Sequence, residues 1–179
     1  GPVKVKDLPR NKRLWQNPQQ PQREDTLRYI NDPSQISSIQ PQLRRLESLC
    51  RLYQMPSVLD VGCMTGYAYD YLKRAGVSDL RYCGVDSQET LVQMGDVSHP
   101  YDDFEIKVGD LYDLPFEDAS FDVTACLRVL LHVPHPDQAL RELLRVTKNF
   151  VVLAIPLHEP DRFTKFIETD VRGSFLYHR

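Results

Sequence analysis

Three acids in this chain each close a short apolar run, and their spacing is that of a ligand site. Asp60 ends Ser57-Val58-Leu59, Asp86 ends the run Leu80 to Val85, and Asp110 follows the run Phe104 to Gly109. Asp60 stands just ahead of Gly62-Cys63-Met64-Thr65-Gly66, a glycine turn that feeds a helical stretch from Tyr67 to Ala75. A strand entering a tight turn and then a helix sets backbone N–H groups and a positive helix end at the carboxyl edge of a sheet. An acid two residues before such a turn can reach a cationic group of a ligand held over it. An acid at the end of the next strand can accept both hydroxyls of a ribose, or can start the following helix, Asp86-Ser87-Gln88-Glu89. Asp110 suits a turn, although Leu111 and Tyr112 after it could wall a flat ligand. The turn does not suit a nicotinamide dinucleotide. A G-x-G-x-x-G frame begun at Gly62 meets Met64 and Tyr67 where it needs glycines.

The elements that must hold these residues are legible from periodicity. Pro41 opens a helix with apolar residues Leu43, Leu46, Leu49, Cys50 and Tyr53 at helical spacing, and Pro56 ends it. Strand Val58–Val61, helix Tyr67–Ala75, strand Leu80–Val85 and a helix from about Gln88 to Met94 follow. Strand Phe104–Val108, a turn through Leu114-Pro115-Phe116, strand Phe121–Cys126, helix Pro136 to about Val146 and strand Phe150–Ile155 complete the series. Alternation of this kind predicts βαβ units and a parallel sheet in an α/β fold. Loops at strand ends supply the remaining candidates for chemistry: Arg128 and His132 after the fourth strand, His158 and Glu159 after the fifth. His132 titrates where a general base must, and is otherwise a structural histidine. A guanidinium at position 128 can hold a carboxylate or phosphate, or can pair with an acid of the arm or of a helix.

Asp60-Val61-Gly62-Cys63-x-Thr65-Gly66 resembles motif I of the class I S-adenosylmethionine (SAM) dependent methyltransferases. Asp110 to Asp122, with Leu114-Pro115-Phe116 and Ser120-Phe121-Asp122 in place, resembles a second signature of the family, "G-D-x-x-x-L-P-F-x-D-x-S-F-D". Val129 to Pro134 and Ala139 to Val146 resemble its strand-4 loop and following helix, so the likeness runs in order from residue 57 to about 156. It implies a Rossmann-like, doubly wound parallel sheet of strand order 3-2-1-4-5, with SAM as cofactor and S-adenosylhomocysteine as product. It further implies cofactor contacts from Asp60, Gly62, Cys63, Gly66, Asp86, Ser87, Asp110, Leu111 and Leu127, with the glycines admitting the methionine part. In the family the motif I acid contacts the cofactor's amino group, the acid at Asp110 takes the adenine amine, and the next residue donates its N–H to the ring. Arg128 and His132 stand at the acceptor side and are the candidate catalytic residues.

Three departures accompany the likeness. Met64 replaces the middle glycine of motif I, and either narrows the site or packs away from it. Thr147-Lys148-Asn149 replaces a longer turn before strand 5 and reads as a tighter loop. The antiparallel strands that the family adds after strand 5 are expected to be missing or truncated.

Composition bounds the rest. The chain has 179 residues, 41% apolar and 26% charged, ordinary for a globular domain. Residues 1–30 hold seven Lys or Arg against three Asp or Glu, although the whole chain carries −3. We expect residues 1–37 to be a basic, partly flexible arm and residues 38–179 to be the SAM-binding domain. The arm is either a solvated tail or a surface for an anionic substrate, nucleic acid or membrane. No run nears the roughly 20 apolar residues of a membrane span. No signal-peptide pattern opens the chain, and the four cysteines make no C-x-x-C pair. A cytoplasmic protein without a metal site is expected. The function read from these features is methyl transfer to a small molecule, with oxygen as the favoured acceptor. A SAM-binding, non-catalytic subunit and an RNA methyltransferase are the alternatives; oligomeric state is left open.

Overall fold

The computed structural model describes residues 39–155. The expected arm, and the segment holding His158 and Glu159, lie outside the described residues. Helix α1 (Gln40–Leu52) leads into β1 (Ser57–Val61), α2 (Tyr67–Arg74), β2 (Arg81–Asp86), α3 (Glu89–Ser98) and β3 (Phe104–Val108). Then come β4 (Phe121–Leu127), a 3-10 turn (Leu130–His132), α4 (Pro136–Val146) and β5 (Thr147–Ala154). The five strands form one sheet in the order β3-β2-β1-β4-β5, and every pairing is parallel. This is the expected α/β architecture and strand order. The carboxyl ends of β1, β2 and β3 stand side by side, as a ligand site on such a sheet requires.

Side-chain alternation along β1 and β2 decides what faces where. Val58 and Tyr82 point into a core shared with α1, α2 and Val92 of α3, whereas Leu59, Val61, Cys83 and Val85 point into a second core with Ala139 and Leu143 of α4. Asp60 and Asp86 fall at the same parity as Val58 and Tyr82, so both acids lie on the α1–α2 face. No helix joins β3 to β4. The connection is a loop whose Leu111 and Leu114 seal the second core, with Phe116 packed against it.

Two boundaries differ from the sequence reading. Helix α3 continues through Ser98 because its last turn is held by the His99 N–H donating to the Gly95 carbonyl at 3.1 Å. The stretch Thr147-Lys148-Asn149, expected as a loop, is the start of β5 instead. Thr147 pairs with Phe121, and its hydroxyl bonds the Thr124 hydroxyl at 2.6 Å and the Leu143 carbonyl. A β-branched residue tied to both the neighbouring strand and the end of α4 needs no turn between them.

Candidate cofactor site

The turn after β1 is shaped by two glycines with positive φ, Gly62 at 78° and Gly66 at 91°. A Cβ on Gly62 would lie 2.2 Å from Cγ2 of Val129, and one on Gly66 would lie 2.6 Å from the Phe104 ring. Both glycines are therefore demanded by backbone conformation and by packing, whatever else the turn admits. The amides of Gly62 and Cys63 both donate to the Val85 carbonyl, at 2.7 and 3.2 Å, which fastens the turn to β2. Cys63 turns its thiol into the core against Gly84, where an added Cβ would lie 2.7 Å from Sγ. Burial pushes that thiol well up. What Cys63 presents toward the sheet edge is backbone.

Met64 takes a φ of 56°, the left-handed conformation that the glycine of the family motif would take without strain. Its N–H donates to Oδ2 of Asp86 at 3.0 Å, while Oδ1 of Asp86 accepts the Gln88 N–H at 2.9 Å. Asp86 is thus locked by one amide from the turn and one from the start of α3. The expected helix-start role is present in this second bond, as an Asx turn rather than an N-cap, since Gln88 is the cap residue. The Ser87 amide also bears on this carboxylate, and of its roughly four lone-pair sites at least one stays open to a further donor. Asp86 is only 8% exposed, and that burial pushes its carboxyl up, against the pull of the backbone amides. Ser87 beside it is exposed.

Asp60 is buried to 2% exposure and accepts the Tyr82 hydroxyl at 2.6 Å. Burial pushes its carboxyl up to about 7; the Tyr82 hydrogen bond works against that rise, and the nearby Asp86 adds to it. Among the described residues no ion pair involves Asp60 or Asp86. Two buried carboxyls flanking a glycine turn, with no cationic partner among the described residues, form an arrangement that a ligand carrying an ammonium group and a diol would complete. Tyr82 was missed in the sequence reading. Its signal is one of register: it pairs with Val58 and sits two residues before Gly84, which pairs with Asp60.

Asp110 is exposed beyond β3, and its Oδ1 accepts the Tyr112 N–H at 2.9 Å. The turn role is therefore formed, and it leaves Oδ2 for another donor. Leu111 is buried in the second core, and the Tyr112 hydroxyl accepts the His135 N–H at 3.1 Å. The loop is pinned from α4. Arg145 donates to the Leu114 and Phe116 carbonyls at 2.9 and 2.7 Å, and Glu142 accepts the Leu114 N–H at 2.9 Å.

At the end of β4, Leu127 is buried and Arg128 is half-buried with φ 62°, its N–H donating to the Ala154 carbonyl at 2.8 Å. His132 closes the 3-10 turn, also half-buried. The contact of Val129 with Gly62 brings this loop against the glycine turn. The nine expected cofactor residues and the two expected catalytic ones therefore line four neighbouring strand ends. Among the described residues no group of three or more His, Cys, Asp or Glu could hold a metal ion. None of their helices is long and apolar enough to cross a membrane.

Known proteins share this fold and part of this sequence. Residues 59–155 match the family of the methyltransferase domain. Phthiotriol/phenolphthiotriol dimycocerosates methyltransferase 1 of Mycobacterium ulcerans is 30% identical over 119 residues, 66% of this chain and 44% of that protein. Demethylmenaquinone methyltransferase of Paenarthrobacter aurescens is 37% identical over 91 residues, 51% of this chain and 34% of that protein. The chain thus spans less than half the length of these curated relatives. The crystal structure of magnesium protoporphyrin IX methyltransferase from Synechocystis PCC 6803, solved with bound SAM, superposes with a TM-score of 0.62. It is 19% identical and covers 82% of this chain and 76% of that one, a likeness of fold. This chain belongs to the methyltransferase-domain family, the class I SAM-dependent methyltransferases.

Proposed function

We propose that the chain binds SAM at the carboxyl ends of β1, β2 and β3 and transfers its methyl group to a small-molecule acceptor, at oxygen. The observation that carries this reading is the pair of buried acids, Asp60 and Asp86, flanking the glycine turn on one face with no ion pair to a cation among the described residues. Asp86, held by the Met64 and Gln88 amides, is oriented to accept ribose hydroxyls. Asp60 is the group to meet the ammonium of the methionine part. Asp110 keeps one oxygen for the adenine amine, and the Leu111 N–H is placed to bond the ring. Met64 takes a left-handed φ that a glycine would take without strain, and its amide stays on Asp86.

Bound SAM supplies an electrophilic methyl group on a sulfonium, so the protein must chiefly orient an acceptor and take up its proton. Arg128 is the residue we assign to an anionic acceptor, since a planar fork suits a carboxylate or phosphate. His132, one short turn further on, is the group we assign to the proton. The named small-molecule substrates of the relatives, a lipid and a quinone precursor, support an acceptor of that class. Four free, buried cysteines fit a reducing, cytoplasmic setting. Calorimetric titration with SAM and S-adenosylhomocysteine, followed by transfer of a labelled methyl group to a panel of phenols, quinols and carboxylates, tests the reading. Binding with no transfer to any of them would favour a non-catalytic SAM-binding subunit. Transfer to RNA alone would favour the nucleic-acid alternative.

A further inference from the structure

Asp60 is unusual among the acids of the site in having its oxygen capped by a buried phenol. The hydroxyl of Tyr82 is 2.6 Å from its Oδ2, and the Tyr82 ring is fixed by Phe104 at 5.4 Å and Tyr69 at 5.5 Å between centroids. That aromatic packing leaves the phenol little freedom to leave the acid. Among the described residues the ionisable groups around Asp60 are Tyr82 and Asp86 of β2 and Cys63 of the turn, with Tyr67 of α2 near Tyr82 and Cys126 of β4 on the opposite face of the sheet. None of them is cationic, so no described residue in that shell neutralises a carboxylate buried to 2% exposure.

Resting on the SAM-binding reading above, we propose that Tyr82 is the positioning residue of Asp60. In the ligand-free protein Asp60 carries a proton that it gives up to solvent when the ammonium end of the cofactor docks. The O–H bond of the acid breaks, the proton leaves to buffer, and the carboxylate left behind faces the incoming ammonium while it keeps the Tyr82 hydrogen bond. The upward push on Asp60 to about 7 agrees with a proton held near neutral pH. Tyr82, which favours the carboxylate form, sets the pH at which this exchange becomes easy.

Two ligands separate this linkage from general weakening. S-adenosylhomocysteine carries the ammonium, and 5′-methylthioadenosine keeps the adenine and ribose but lacks it. Calorimetry of the full chain between pH 6 and 8.5, in buffers of different ionisation enthalpy, counts protons released on binding. We expect nearly one proton released per S-adenosylhomocysteine at pH 6 and almost none above pH 8, with affinity about tenfold weaker at pH 6 than at pH 8. 5′-Methylthioadenosine should bind with a flat profile. Tyr82→Phe should move the S-adenosylhomocysteine profile to higher pH and leave the other ligand unaffected. Equal weakening of both ligands at every pH would make Tyr82 merely structural and overturn the proposal. Asp60→Asn, whose carbonyl still accepts the Tyr82 hydroxyl, guards against a Tyr82 variant that does not fold. It should abolish the proton release, and release that persists in it also overturns the proposal. If neither ligand binds at any pH the SAM reading itself fails, whereas binding with a flat profile for both defeats only the proton linkage.

Discussion

Arg145 and Glu142, three residues apart on α4, face each other through two parallel hydrogen bonds, Nε to Oε1 at 2.7 Å and Nη2 to Oε2 at 2.8 Å. The same guanidinium reaches the carbonyls of Leu114 and Phe116 and, at 3.0 Å, the carboxylate of Asp118. One fork therefore satisfies the backbone of the loop that carries Asp110 and Leu111. The pairing holds Glu142 below the usual carboxylate range and raises Arg145 further.

Arg145→Lys keeps the charge and loses the fork. It should destabilise the fold by about 1–3 kcal/mol, because carbonyls turned toward the guanidinium lose their donors. Urea unfolding of the two proteins side by side measures this. A variant as stable as the parent would show that the loop holds itself.

The buried acid makes stability depend on pH. Asp60 titrates at about 7 in the folded chain against an ordinary 3.8, so between those values the folded state holds a proton that the unfolded state has lost. Stability is then fullest below about pH 4 from this group and declines as pH rises to about 7, by roughly 4 kcal/mol at most. Asp60→Asn should remove that decline, giving a protein more stable than the parent at pH 8. Thermal unfolding across pH 5 to 8 tests both the slope and its loss.

Asp86→Ala should weaken S-adenosylhomocysteine by about 1–3 kcal/mol, the cost of removing a charged hydrogen-bonding partner. It also strips an acceptor from the Met64 and Gln88 amides. Unchanged affinity in a titration would remove the ribose assignment.

Met64 offers a test of conformation rather than of bulk. Met64→Gly should leave S-adenosylhomocysteine affinity level or tighter, since glycine tolerates the left-handed turn and keeps the N–H that holds Asp86. Met64→Val should be worse than either by about 1–3 kcal/mol in stability, because a β-branched residue at positive φ is strained. Chemical denaturation and calorimetry on the pair decide whether the amide or the side chain of residue 64 matters.

Arg128→Lys should raise the acceptor KM by about tenfold or more while leaving S-adenosylhomocysteine affinity in place, as for a lost bidentate contact of about 1.5–3 kcal/mol. An acceptor found to be uncharged would defeat the assignment.

The placement of Asp60, Asp86 and Asp110 at strand ends was legible because it follows from local patterns, apolar runs that stop at an acid and a glycine turn between strand and helix, whereas the strand order followed from the family resemblance. What stayed hidden depends on register across strands. Tyr82 meets Asp60 only because Gly84 pairs with Asp60 in β2, and no pattern within either segment shows it. The dependence of the Leu114-Pro115-Phe116 turn on Arg145 is hidden for the same reason, since its partners are about 30 residues apart. Thr147-Lys148-Asn149 was read as a tighter loop because it stands where the family has a longer turn, and the strand conformation of Thr147 is fixed by Phe121 and Thr124, which the segment does not contain.

Val129 occupies the volume that a side chain on residue 62 would need, and it is the immediate neighbour of Arg128. Close-packed atoms pass displacement on instead of absorbing it. A displacement of the glycine turn would therefore be passed on to the loop that carries Arg128. Gly62 is also fixed by its positive φ, so reducing Val129 to Ala should not by itself let a larger residue stand at position 62.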